Sequence, residues 1–146
     1  YLLLKHNRWG ALREHPEQIP SAIEEMLRFE PPVQATQRFV LEDMDFLGKR
    51  LKRGDSVFVS IAGGNRDPSA NDNPDEFDIN RDKVNQASFG YGIHLCIGAS
   101  LARLEAKVAF ERLLAEFPDL QLCSTQPQWG KNPFFRGQDS LRVSKI

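Results

Sequence analysis

The stretch Phe89-Gly90-Tyr91-Gly92-Ile93-His94-Leu95-Cys96-Ile97-Gly98 sets one cysteine between a glycine-rich loop and a long run free of glycine and proline. That run, Ala99 to Phe117, carries Leu101, Leu104 and Val108 at helical spacing and stops at Pro118, so it predicts the longest helix of the chain. Glycines permit positive φ and close backbone approach, and the first turn of a helix presents unpaired N–H groups at the positive end of its dipole. A cysteine so placed is favoured as thiolate and can accept hydrogen bonds from those groups. The plain alternative is a packed, inert cysteine, since free cysteine is among the most buried residue types. A phosphate loop is excluded, because the glycines lack both Gly-x-Gly-x-x-Gly spacing and a Gly-Lys-Ser/Thr ending. Zinc is excluded too: Cys96 and His94 alone leave most of a tetrahedral shell unfilled.

Working outward, Tyr1 to Glu14 mixes Leu2, Leu3, Leu4, Trp9 and Leu12 with polar residues, which suits one or two short helices broken near Asn7-Arg8. From Pro20 a second helix is expected, with Ile23, Met26 and Leu27 on one face and Pro31-Pro32 as its stop. Residues 33 to 61 turn β-prone around Gln37 to Leu41 and Val57 to Ile61, with turn signals at Gly48 and Arg53-Gly54-Asp55, and predict a small antiparallel sheet. Asn65 to Asn80 is rich in Asn, Asp and Pro and reads as irregular surface. After Pro118, short strands are expected at Leu120 to Cys123 and Ser140 to Val143, around a loop centred on Phe134-Phe135. The class is α+β, mainly helical.

At 146 residues and 40% hydrophobic the chain has the material for one core, and 19 Lys+Arg against 20 Asp+Glu leave no basic stripe for nucleic acid. No apolar run approaches the roughly 20 residues of a membrane span. Two cysteines are too few for a disulfide framework, and a soluble protein of a reducing cytoplasm is the expectation. No Met precedes Tyr1, and the chain reads as a fragment.

The pattern Phe-x-x-Gly-x-x-x-Cys-x-Gly, met by Phe89, Gly92, Cys96 and Gly98, resembles the haem-binding signature of the cytochrome P450 family, and His94 two residues before the cysteine matches the form of its soluble bacterial members. The resemblance extends to nearly the whole chain. The run Ala22-Ile23-Glu24-Glu25-Met26-Leu27-Arg28 is similar to the family's Glu-x-x-Arg helix, Arg81 stands where a third network residue is expected, and Gly48, Gly54 and Asn65-Arg66-Asp67-Pro68 also match.

The resemblance implies that residues 1–146 are the C-terminal haem-binding portion of a single larger domain, a haem-thiolate monooxygenase binding haem b. Cys96 would be the axial thiolate, with Phe89, Gly90, His94, Gly98 and Arg38 around the cofactor. A thiolate behind the iron favours O–O cleavage on the open face, and the planar fork of Arg38 suits a propionate, for which His94 is a second candidate. Glu25, Arg28 and Arg81 would form a buried structural network. Gln34, Ala35, Thr36, Phe134 and Phe135 match segments lining the substrate pocket, with ordinary core packing as the alternative. The implied partners are a small apolar organic substrate, O2, and a ferredoxin-type electron donor with its reductase. The family's oxygen-activating helix, with its acid–alcohol pair, is expected upstream of Tyr1. Ala62-Gly63-Gly64 is not that helix, because no acid–Thr pair follows it. By itself the chain is expected to be inactive. The rivals are nitric oxide reduction, peroxygenase or rearrangement chemistry on the same haem, and non-catalytic haem binding or a haem-free remnant.

Overall fold

The computed structural model describes residues 1–145. Helices α1 (Leu2–Lys5) and α2 (Trp9–Glu14) are separated at Asn7, whose φ of 54° is left-handed, a conformation asparagine tolerates better than most residues. A 3-10 turn over Pro16–Gln18 leads into α3 (Ile19–Phe29). This helix begins one residue before Pro20, which leaves the proline inside the first turn, where its missing N–H has no partner to lose. It ends at Phe29, ahead of Pro31-Pro32, and the terminal carbonyl of Phe29 accepts from Arg66 Nε at 3.2 Å and Nη2 at 2.7 Å.

Strands β1 (Ala35–Phe39), β2 (Met44–Phe46), β3 (Lys49–Leu51) and β4 (Ser56–Ser60) follow. They are antiparallel as expected, but they form two separate ladders, β1 with β4 and β2 with β3, instead of one sheet. Aspartates make the break: Asp43 Oδ1 accepts from Arg53 N at 2.9 Å and Asp55 Oδ2 from Lys52 N at 2.8 Å, so these donors serve side chains and not a continuing ladder. The β2–β3 turn uses Leu47 at φ 48° and Gly48 at φ 75°, two positive values in succession as tight hairpin turns demand. The expected run to Ile61 stops a residue early. Ser60 accepts from Gly63 N at 3.0 Å and so caps a short helix, α4 (Ile61–Asn65), that the sequence reading did not foresee.

Residues 66 to 91 contain no helix or strand and are held by side chains that bond to backbone. A 3-10 turn over Gly92–His94 precedes α5 (Ala99–Glu116), the longest helix, which stops before Pro118. The remainder makes β5 (Leu120–Leu122), β6 (Gln128–Trp129), β7 (Gln138–Ser140) and β8 (Val143–Lys145), paired β5–β8 and β6–β7. The expected strand over Ser140 to Val143 is therefore corrected: Ser140 ends β7 and Val143 begins β8, strands of different ladders with Leu141-Arg142 between them.

The core gathers Leu2, Leu3, Trp9, Leu12, Ile19, Ala22 and Ile23 with Phe77, Ile79 and Leu114. Helix α5 buries only Ala99 and Leu114. Its regular stripe, Leu101, Leu104 and Val108, continues Ile97 and is exposed along its length. No helix among the described residues is long and apolar enough to cross a membrane.

Candidate functional site

The cysteine loop is fixed by its own backbone. Gly90 N donates to Ala87 O at 2.8 Å, Leu95 N to Gly92 O at 3.0 Å, and Cys96 N to Phe89 O at 2.7 Å. Gly90 has φ 76°, and a Cβ there would lie 2.6 Å from the carbonyl oxygen of His94, so no side chain fits. Gly98 borders the sulfur, since a Cβ at that position would stand 3.8 Å from Cys96 Sγ. The expected N–H donors to sulfur are not formed among the described residues: the Ala99 N–H turns back to the Cys96 carbonyl at 3.2 Å.

Cys96 is not packed among the described residues. It is exposed, and so are its apolar neighbours Ile93, Leu95 and Ile97. Among the described residues no three His, Cys, Asp or Glu side chains cluster to hold a metal. A single accessible sulfur in an apolar setting suits an iron whose other ligands come from a macrocycle, so the donor set fits haem.

The Glu-x-x-Arg helix supplies a closed network behind this loop. Glu25 and Arg28 are both 0% exposed, and Arg28 reaches Glu25 through Nε at 2.7 Å and Nη2 at 2.8 Å. The remaining Arg28 N–H groups donate to the carbonyls of Asn65 (3.1 Å), Pro74 (2.7 Å) and Glu76 (2.9 Å), so all five donors are satisfied. Arg81, with a side chain 11% exposed, donates from Nε to the same Glu25 Oε1 at 3.2 Å and to the carbonyls of Asp72, Asn73 and Glu76. The Asp78 N–H also reaches Glu25 Oε1, at 2.9 Å. The three residues thus stitch α3 to the irregular stretch that leads into the cysteine loop.

Arg38 lies on β1, where Nη1 donates to Thr36 Oγ1 at 2.6 Å and to Gln37 O at 2.9 Å, while Nε and Nη2 make no hydrogen bond among the described residues. The His94 ring is exposed and likewise makes none. Gln34 and the Phe134-Phe135 loop meet directly: Gln34 N donates to Phe134 O at 2.8 Å, Val33 bridges Phe135, and the Phe134 ring stacks on Phe58 with centroids 6.1 Å apart. Ala35 and Thr36 continue that edge as the start of β1.

Residues the sequence reading left without a role complete the site. Asn65 is buried, accepts from Ala87 N at 2.8 Å, donates to Ser88 Oγ at 3.0 Å, and gives its carbonyl to Arg28. Ser88 Oγ donates to Leu27 O at 2.7 Å. Glu24 accepts from Arg103 and Gln86. Only the adjacency of Glu24 to Glu25 hinted at a second acidic contact from α3.

Comparison with known proteins places this geometry. The model of the family described as Cytochrome P450 matches residues 14–141. The chain is 45% identical over 146 residues to the polyketide biosynthesis cytochrome P450 PksS of Bacillus subtilis, covering 97% of this chain and 36% of that protein. It is 44% identical to the cytochrome P450 monooxygenase PikC of Streptomyces venezuelae, covering 98% and 35%. Among solved structures, PksS superposes with a TM-score of 0.93 at 44% identity over 99% of this chain and 38% of that one. P450BioI in complex with a hexadec-9Z-enoic acid ligated acyl carrier protein gives 0.93 at 41% identity, again over 99% and 38%. The chain therefore spans about a third of the length of these relatives, and with its cysteine loop, Glu-x-x-Arg helix and fold in common with them it belongs to the cytochrome P450 family.

Proposed function

We propose that the complete protein containing this chain is a haem-thiolate monooxygenase that inserts one oxygen atom of O2 into an apolar organic substrate. Residues 1–146 would be the C-terminal haem-binding portion of its single domain, working in the cytoplasm with electrons from a ferredoxin-type donor and its reductase. Haem b is the cofactor of the family. When bound, it supplies the oxidation, and the protein binds, orients and shields. The observation that carries the reading is the accessible sulfur of Cys96, set among exposed apolar side chains on a loop whose backbone admits no side chain at Gly90.

Each residue group has a task in this reading. Cys96 would supply the thiolate that holds the haem iron, and Phe89, Gly90 and Gly98 would shape the loop around it. Arg38 would offer to one propionate the Nε and Nη2 donors that make no hydrogen bond among the described residues, and His94 its ring to the other. Glu25, Arg28 and Arg81 keep the loop in register. Gln34, Ala35, Thr36, Phe134 and Phe135 would line one wall of the substrate pocket, apolar at the two phenylalanines, a placement supported by the backbone bond between the two segments. The names of the relatives, a polyketide-biosynthesis enzyme and one solved with a fatty-acyl carrier protein, agree with an apolar organic substrate. The test is turnover of the complete protein with a ferredoxin, its reductase and isotopically labelled dioxygen against a panel of acyl and polyketide compounds. One labelled oxygen atom per product supports the reading. Product formed with peroxide alone, and never with dioxygen and reductant, would replace it by a peroxygenase.

A further inference from the structure

Glu24 and Arg103 are far apart in sequence and meet across the junction of α3 and α5. Arg103 Nε donates to Glu24 Oε1 at 2.5 Å and Nη2 to Oε2 at 3.0 Å, a two-point fork that only guanidinium geometry provides. The same Glu24 Oε2 accepts from Gln86 Nε2 at 2.9 Å, and Gln86 Oε1 accepts from Ser88 N at 2.6 Å. The guanidinium also lies over the Phe89 ring, with Cζ 4.6 Å from its centroid. Phe89 O in turn accepts the N–H of Cys96 at 2.7 Å.

The pair is braced on both sides. Arg103 follows Cys96 by seven residues and stands just past the first turn of α5, which begins at Ala99, and so ties the register of α5 to α3. Its hydrogen bonds hold the Glu24 carboxyl below the ordinary carboxylate range against the opposing effect of burial, and Glu24 raises Arg103, so both stay charged at neutral pH. Among the described residues none of the Glu25, Arg28 and Arg81 hydrogen bonds involves this pair directly, and the two networks meet only through Asn65, which donates to Ser88 Oγ and accepts from Arg28.

We propose that Glu24 and Arg103 are positioning residues for the axial sulfur: the fork holds Phe89 from its ring side and, through Gln86 and Ser88, from its backbone side, and Phe89 sets where Cys96 stands. A helix-to-helix brace without this role would stabilise the fold and leave the sulfur unchanged. A positioning pair shifts the sulfur and does so through Phe89.

The inference rests on Cys96 being the haem ligand, and it is tested on the complete haem-loaded protein. Arg103→Met, Arg103→Lys, Glu24→Gln and Phe89→Leu are compared by the iron–sulfur stretching mode in the ferric protein and by the rate at which the reduced, carbon monoxide-bound form loses its thiolate band. Expected are a shifted mode and several-fold faster loss for Arg103→Met and Phe89→Leu. Arg103→Lys should give no rescue, because an ammonium cannot fork. The double variant Arg103→Met/Phe89→Leu should be no worse than either single one, the mark of a shared path. Should Arg103→Met not fold, Arg103→Lys and Glu24→Gln carry the same comparison. An unshifted mode in folded Arg103 and Glu24 variants, or additive effects in the double variant, overturns the clamp while leaving Cys96 ligation intact. A wild type without a thiolate band overturns both.

Discussion

Glu25 is a single carboxylate that serves Arg28 and Arg81 together, with neither it nor Arg28 reaching water. Charges buried in this way repay their desolvation only while every partner is present, and removing one leaves the others stranded. Arg28→Ala is expected to destabilise the complete protein by about 3–5 kcal/mol and to lower haem retention, measured by denaturant unfolding and haem content; unchanged values for both would contradict the network. Gly90 is fixed by geometry alone. Gly90→Ala forces an L side chain to positive φ, about 1–2 kcal/mol, and drives its Cβ toward the His94 carbonyl. The expected outcome is a misplaced cysteine loop, seen as apoprotein on purification. The i,i+3 spacing of Glu25 and Arg28 was legible in the sequence because both lie on one helix. The meeting of Glu25 with Arg81 followed only from family resemblance, since no local pattern links positions 56 residues apart.

At the scale of elements, α1 rests on α3 and the segment around Phe77 through His6, whose ring lies 5.7 Å from that of Phe29 and 5.0 Å from that of Phe77. Its Nε2 is covered and has no hydrogen-bond partner among the described residues. Burial, then the charges of Lys5 and Arg8, hold the imidazole below its ordinary value of 6.5. The unfolded chain therefore takes up a proton as pH falls through 6.5 while the folded one lags, and stability is lost across that window. His6→Phe should flatten this part of the stability–pH curve, measured by thermal unfolding at a series of pH values; an unaltered slope would contradict it. Helix ends were readable from Pro31 and Pro118, and the break at Asn7 from a residue tolerant of left-handed φ. The split of the expected sheet was not, because it depends on Asp43 and Asp55 taking backbone donors in three dimensions. Helix α4 was hidden for a similar reason: a serine cap outweighed the weak helix propensity of Gly63-Gly64.

Over the whole molecule, the apolar residues of α5 are divided unequally, with Leu114 in the core and Leu101, Leu104 and Val108, in line with Ile97 just before the helix, facing outward. A stripe of this size is unusual on the surface of a monomer, and the proposed larger domain gives it a cover. Leu104→Asp in the complete protein is expected to cost about 1.5–3 kcal/mol, the value of a buried leucine side chain. A surface-like effect near zero would count against one continuous domain. The candidate ligand was legible because a loop signature is local, whereas the Glu24–Arg103 fork spans 79 residues and appears only on folding. The central claim, that Cys96 is the thiolate ligand of a haem, is tested most directly by the absorption spectrum of the reduced, carbon monoxide-bound complete protein beside its Cys96→Ser variant. The account predicts a long-wavelength Soret band in the wild type that the variant lacks; a folded, haem-loaded wild type without that band would contradict it.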